Sequence, residues 1–144
     1  MPVLNLTQHT ATLDQIANGV FEPEDKDEIR RLLTFDEPPD FAEMVSRALA
    51  LTRIAKQSGA TTAMVGSAPF FTACLEWHLA VNGITPVYAF TQRHTVEEPD
   101  GAGGVRKIAV FRHTGFVTTA PWGELHRENC MHANGPLLSP LEGW

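Results

Sequence analysis

The sequence predicts an α/β fold: a small Rossmann-like three-layer sandwich whose mainly parallel sheet ends in a C-terminal antiparallel β-hairpin. Three observations carry this prediction. Short apolar runs alternate with segments of helical period, as expected of parallel strands joined by crossover helices. The two most regular helical segments both end at a glycine, Gly59 and Gly83. Two strand-like segments then flank a turn with the sequence PDGAGG, at residues 99–104, which is typical of a hairpin.

The N-terminal third predicts a strand, a polar corner and two short helices. The apolar run VLNL at residues 3–6 precedes the polar residues 7–10, and Thr12 with Gln15 matches the spacing of a capping box. Residues 22–31 place acidic side chains ahead of basic ones, the order that a helix dipole favours. Residues 32–35 fit either the last turn of that helix or a short buried strand, and we favour the strand.

The middle of the chain predicts a helix, a strand and a second helix. Asp40 with Glu43 resembles another capping box, and apolar residues recur at helical spacing from there to Gly59. Residues 61–65 form a short apolar strand, and residues 66–69 lead into a helix that ends near Gly83. Thr85 then opens the hairpin, which makes one antiparallel strand of an otherwise parallel sheet.

The hairpin spans residues 85–117 and changes character along its length. Its inner ends, PVYAF and IAVF, are continuously apolar, as in strands covered on both faces. Its outer ends carry several charged residues, so we expect them to extend beyond the globule as an arm. Pairing the strands symmetrically about the turn places Glu97 near Arg106 and Phe90 near His113, to within about two residues.

Composition indicates one domain, which we assign to residues 1–117, followed by an irregular tail at residues 118–144. The chain has 144 residues, of which 43% are hydrophobic and 19% charged, enough for a single core. Its formal charge of −6 argues against duplex DNA as a partner. Neither a membrane-length apolar run nor a secretory signal pattern is visible, so we expect a cytoplasmic protein without a membrane partner. Cys74 and Cys130 are expected to remain thiols.

Three polar corners are predicted to meet where ligands bind in α/β sheets, outside the carboxyl ends of the strands. The corner after the first strand carries Thr7, Gln8, His9 and Thr10, and the corner before the last helix carries Gly66, Ser67 and Ala68. The fourth strand contributes a third group, and the return strand of the hairpin comes back to the same edge. These last candidates are Thr91, Gln92, Arg93, Arg112 and His113.

Each corner also has a purely structural interpretation. Ser67 is suited to cap the following helix, because serine accepts a backbone N–H bond there. Gly66 could simply relieve a tight turn, and His9 could be an ordinary loop histidine. The arginines of the hairpin could pair across the strands with Glu97 and Glu98, which stabilises a hairpin by about 0.2–1 kcal/mol per pair.

The sequence predicts neither a metal site nor a cofactor. His126, Cys130 and His132 carry ligand chemistry for zinc, but their spacing does not match a standard zinc signature and no fourth ligand accompanies them. Phosphate-binding loops of the Walker type, the three-glycine dinucleotide fingerprint and the serine-centred elbow are all missing from the sequence. Nucleoside triphosphate and nicotinamide enzymes are therefore excluded.

Three stretches together resemble a known group of proteins. They are LNLTQHTATLDQ near the start, AMVGSAPFF in the middle and the hairpin segment GITPVYAFTQRHTVEEPDGAGGVRKIAVFRHTGFV. The combination resembles the small CRISPR-associated ring nucleases and their Rossmann-like sensor-domain (CARF-related) relatives, over about residues 1–117. The resemblance implies a homodimer that binds cyclic oligoadenylate, the second messenger of type III CRISPR antiviral defence, and linearises it without a metal.

The resemblance also implies roles for particular residues. Its ligand-facing corners fall on residues 7–10, 66–68 and 91–93. In the expected reaction a ribose 2′-OH attacks its neighbouring phosphate and leaves a 2′,3′-cyclic phosphate. Arg93 is the candidate for steadying charge on that phosphate, and His9 or His113 for proton transfer.

Two other functions remain open. The same edge could sense a nucleotide or a cyclic oligonucleotide without cutting it. Alternatively, the chain could be an interaction protein of a mobile genetic element, with the charged hairpin as its docking surface.

Overall fold

A computed structural model describes residues 2–119 and contains one five-stranded sheet. The strands are β1 (Val3–Leu6), β2 (Val20–Phe21), β3 (Thr62–Val65), β4 (Thr85–Pro99) and β5 (Val105–Val117). Their order in the sheet is β2-β1-β3-β4-β5, and all neighbouring pairs are parallel except β4 and β5, which form an antiparallel hairpin. This architecture confirms the predicted α/β class.

Three of the four helices within residues 2–119 begin at side-chain caps. Helix α1 (Leu13–Ala17) has a complete capping box between Thr12 and Gln15. The carboxylates of Asp25 and Asp40 accept bonds from backbone N–H groups at the starts of the next two helices. Capping satisfies N–H groups that the first helical turn leaves free. The remaining helices are α2 (Lys26–Leu33), α3 (Phe41–Gln57) and α4 (Pro69–Val81).

The core lies mainly on one face of the sheet. Alternate strand residues point to opposite faces, so Leu4 and Leu6 of β1 and Ala63 and Val65 of β3 enter the larger cluster with buried residues of α2, α3 and α4. The intervening strand residues belong to a smaller cluster on the other face. That cluster contains Val3, Ala11, Val20, Met64 and Val87, with Ala89 and Phe116 packed against it. No helix among residues 2–119 is long and apolar enough to span a membrane.

Two features of the N-terminal half differ from the prediction. Leu32 and Leu33 are not a strand but the last turn of α2, and both are buried. With Ile29 they form the i, i+3, i+4 face that packs on the core, which is the pattern of an amphipathic helix. The strand β2, at Val20–Phe21, was not predicted, because two residues are too few for a visible period of two.

The hairpin extends beyond the sheet, as its charged outer ends predict. Strand β4 pairs with β3 only as far as Val87. Its pairing with β5 runs from Tyr88, opposite Val117, to Pro99, opposite Val105. Residues 90–115 therefore form a two-stranded ribbon, here called the arm. Its register differs by one residue from the symmetric estimate: Arg106 lies opposite Glu98 and makes an ion pair with it, while His113 lies opposite Thr91.

Candidate functional site

A cavity of about 590 Å³ lies at the carboxyl edge of the parallel strands. It is lined by the corner after β1, the corner between β3 and α4, and the first residues of β4 that project past β3. Its size is that of a pocket for a small organic ligand. The polar residues in its lining are Thr7, Gln8, His9, Thr10, Thr12, Gln15, Ser67 and Tyr88.

The corner after β1 is held in place by Asn5, a fully buried polar residue of that strand. Its Oδ1 accepts hydrogen bonds from the backbone N–H of Thr7 at 3.0 Å and from the Thr7 hydroxyl at 2.7 Å. Its Nδ2 donates to the carbonyl of His9 at 2.8 Å and to Glu22 Oε1 at 2.9 Å. Since a buried amide is retained only when its bonds are satisfied, Asn5 determines the path of this corner.

Glu22 fastens the far end of the same corner. Its Oε1 also accepts the backbone N–H of Ala11 at 2.6 Å, and Lys26 Nζ lies 3.0 Å from Oε2. Burial raises the pKa of Glu22, but the bonds from Ala11 and Asn5 and the Lys26 ammonium outweigh burial, so that the pKa lies below its ordinary value. Glu22 is therefore ionised and holds the corner through its hydrogen bonds. The His9 side chain of the same corner is exposed and lines the cavity.

The opposite wall of the cavity is the start of α4. The helix has Ala68 as its N-cap and Pro69 in its first turn, and no side chain caps it. Ser67 is not the N-cap that its residue type suggested, because its hydroxyl lies 2.8 Å from Thr72 Oγ1 instead. Pro69 has no N–H, and the N–H groups of Phe71 and Thr72 both donate to the Ala68 carbonyl, so the start of α4 does not present a row of free N–H groups to the cavity. What it offers an anion is mainly the positive end of the helix dipole.

Gly66 lies where the two corners meet. A Cβ atom at this position would lie 3.4 Å from the Thr7 methyl carbon, which is an ordinary van der Waals distance. The loop after β1 and the loop after β3 are therefore neighbours at Gly66, and the space there would accept a small side chain.

Tyr88 closes the third side of the cavity. Its phenol donates a hydrogen bond of 2.6 Å to Glu76 on α4, and the Thr119 hydroxyl donates to the same carboxylate oxygen at 2.9 Å. Burial, together with the neighbouring Glu76 carboxylate, raises the pKa of Tyr88 well above its ordinary value. Tyr88 is consequently a neutral donor that fixes α4 against β4.

The arm carries the remaining predicted site residues outside the cavity lining. Thr91, Gln92 and Arg93 follow Ala89 along β4 and are exposed, because the strand continues to Pro99 instead of ending at the sheet edge. Arg112 lies opposite Gln92 and is also exposed. The structure thus brings together residues 7–10 and 66–68 in one cavity, and it places the third predicted group beside that cavity.

His113 is the buried member of the group on the arm. Its relative exposure is 9%, and its ring centroid lies 4.6 Å from that of Phe116. Neither ring nitrogen has a hydrogen-bond partner within residues 2–119. Of the three predicted catalytic residues, His9, Arg93 and His113, only His9 lines the cavity.

The sequence prediction missed Asn5, Glu22 and Tyr88 as parts of the site. A signal existed for Asn5, since an asparagine within the apolar run VLNL must find hydrogen-bond partners if the strand is buried. Glu22 offered no such signal for the corner, because Ala11 and Asn5, the partners that connect it to the corner, lie 11 and 17 positions away along the chain.

The part of the chain that the structure describes contains no group of three or more histidine, cysteine or acidic side chains arranged to hold a metal ion. The motif of His126, Cys130 and His132 lies outside the described residues, as does the predicted tail from residue 120 onward. Cys74 on α4 is a free thiol whose pKa is raised by burial.

Fold and cavity together define an α/β protein with a cavity of small-ligand size at the carboxyl edge of a mainly parallel sheet. Its sequence matches the family described as "Uncharacterized protein MJ1673 family" over residues 1–117, so the chain belongs to that family. No curated protein and no solved structure matches the chain.

Proposed function

We propose that this protein is a metal-independent ring nuclease that binds cyclic oligoadenylate and linearises it, in type III CRISPR antiviral signalling in the cytoplasm. One observation supports the proposal most directly: His9, the only histidine in the cavity lining, shares the cavity with the start of α4, which no side chain caps. A proton-transfer group and an anion-binding helix end are the two elements that cleavage of a phosphodiester needs.

In the proposed reaction a ribose 2′-oxygen attacks the adjacent phosphorus. The new O2′–P bond forms while the P–O5′ bond breaks, which leaves a 2′,3′-cyclic phosphate and a free 5′-OH. The 2′-OH loses a proton and the 5′-oxygen gains one, so the reaction consumes no water and needs no redox partner. His9 is suited to one of these transfers, because histidine is the side chain that most often serves as a general acid or base. The positive end of the α4 dipole would face the phosphate oxygens.

The size of the cavity favours a dimer around the ligand. A volume of about 590 Å³ is typical of sites for small organic ligands, so one cavity holds only part of a ring of several adenylates. A ring with two-fold symmetry could occupy two such cavities across a dimer axis. Arg93 is the proposed cation that stabilises the charge developing on the phosphate. Because Arg93 lies outside the lining of its own chain's cavity, it would reach the phosphate from the second copy of the dimer.

Cleavage of cyclic tetra-adenylate in the presence of a chelator tests the proposal. We expect the wild-type protein to convert the ring to shorter linear products that end in a 2′,3′-cyclic phosphate, as resolved by liquid chromatography and mass spectrometry. His9→Ala should lower the rate by about 10²–10⁴-fold, the usual contribution of a positioned acid or base. His94→Ala is the matched control, since His94 is an exposed histidine of the arm outside the cavity lining. An intact ring after prolonged incubation at high enzyme concentration would refute the nuclease.

The second candidate is a sensor that binds the ring without cutting it. It is favoured by the fact that Arg93 and His113 lie outside the cavity lining. Calorimetric binding of cyclic tetra-adenylate with no linear product would select the sensor. The third candidate, an interaction protein that uses its charged hairpin, predicts no binding of the ring at all.

A further inference from the structure

The arm exposes an aromatic side chain beside cations that have no partner within residues 2–119. Phe111 is 66% exposed and lies directly opposite Arg93, so the two side chains project from the same face of the ribbon. Arg106 is paired with Glu98, but Arg93, Lys107 and Arg112 make no ion pair among the described residues. The register places Lys107 on the same face as Phe111 and Arg93, opposite Glu97, whereas Arg112 lies opposite Gln92 on the other face. The face of Phe111 therefore combines an exposed aromatic side chain with two cations that make no ion pair within residues 2–119.

An isolated ribbon of this kind is marginal in water. Two-stranded hairpins become stable when a further strand or another structure covers them, and no strand among residues 2–119 flanks the arm beyond Val87. Phe90 and Val105 are also 50% and 63% exposed. The exposed apolar side chains of the arm are therefore typical of a surface that packs against another protein segment.

A groove of complementary character lies next to the cavity. It has a volume of about 490 Å³ and is bordered by Phe35 and Phe70, whose ring centroids are 5.2 Å apart in an edge-to-face arrangement. Phe70 is 55% exposed. Asp36 and Glu37 lie on the rim, and neither makes an ion pair among the described residues. The remaining lining residues are Pro38, Pro39 and Met44.

We propose that the arm of one chain docks in the Phe35–Phe70 groove of a second copy, and that the two copies do so reciprocally around a two-fold axis. Phe111 would enter the groove while Arg93 and Lys107 approach the carboxylates of Asp36 and Glu37. The chain as a whole carries a formal charge of −6, so two copies repel each other unless local complementarity of this kind overcomes the repulsion. A reciprocal contact uses the same two surfaces on each copy and closes as a dimer.

The docked arm would also complete the neighbouring cavity. The groove and the cavity adjoin, because Leu33 and Ala68 line the cavity while Phe35 and Phe70, two positions further along each segment, border the groove. Arg93 of one copy would then reach the rim of a cavity whose own lining contains no lysine or arginine. This consequence rests on the proposed function, whereas the dimer itself does not.

Reciprocal charge reversal tests the docking without any ligand. One variant reverses the arm (Arg93→Glu with Lys107→Glu) and the other reverses the groove (Asp36→Lys with Glu37→Lys). Sedimentation velocity at low salt should give a dimer for the wild type and the 15.8-kDa monomer for each variant alone. An equimolar mixture of the two variants should return to dimers, because one interface is then native and the other has both charges exchanged.

The control variant Asp14→Lys with Glu24→Lys changes the net charge by as much as the groove variant does, but at exposed carboxylates outside the groove. It should remain dimeric, and circular dichroism should show all variants folded. A wild type that stays monomeric at all concentrations, reversed variants that remain dimeric, or a mixture that stays monomeric would each overturn the proposal. The sedimentation result does not depend on the cleavage assay. The docking proposal and the proposed function can therefore be refuted independently of each other.

Discussion

Replacing Asn5 with alanine should destabilise the fold and displace the corner that carries His9. The substitution removes four hydrogen bonds, to the Thr7 N–H, the Thr7 hydroxyl, the His9 carbonyl and Glu22. A neutral hydrogen bond contributes about 0.5–1.5 kcal/mol and a bond to a charged group about 1.5–3 kcal/mol. The sum is an upper bound, because Thr7 and Glu22 are half-exposed and can bond to water instead. We therefore expect a loss of about 2–4 kcal/mol in the free energy of unfolding.

Urea denaturation monitored by circular dichroism measures this loss. With a slope of about 2 kcal/mol per molar urea, the midpoint should fall by about 1–2 M. Asn82→Ala is the matched control, since the Asn82 side chain donates one bond, to the carbonyl of His78, at the partly exposed end of α4. The control should cost about 1 kcal/mol or less. Equal midpoints for the two variants would refute the idea that Asn5 organises the corner.

Two further predictions concern charges. Glu22→Gln should lower the free energy of unfolding at pH 7. The difference from the wild type should shrink as the pH falls below 4.5, because the lowered pKa of Glu22 stabilises the wild type only while the carboxylate is ionised. Urea midpoints at pH 7 and pH 4 measure this difference, and a difference that is independent of pH would contradict the prediction. Asp100→Ala should destabilise the arm, since the Asp100 carboxylate accepts hydrogen bonds from the backbone N–H groups of Ala102 and Gly104 at the turn. Amide hydrogen exchange should become faster in residues 90–115, while β1 and β3 remain protected. Unchanged exchange in the arm would contradict the prediction.

The starts of two helices could be read from the sequence because their signals are local. Thr12 with Gln15 and Asp40 with Glu43 form their bonds within one turn, and the structure shows the predicted helices starting at these residues. The same local reasoning failed for Ser67. Pro69 allows the helix to begin one residue later, and the Ser67 hydroxyl finds a partner in Thr72, five positions away.

Local patterns were sufficient to predict the α/β class and the hairpin. They also predicted that residues 7–10 meet residues 66–68, since the carboxyl ends of adjacent parallel strands share one edge. The position of residues 91–93 outside the cavity could not be predicted in this way. That outcome depends on how far β4 continues past β3, and the end of pairing is a non-local property. The hydrogen bonds that Glu22 accepts from Asn5 and Ala11 were likewise not predictable. Bonds between residues distant along the chain leave no periodic pattern in the sequence.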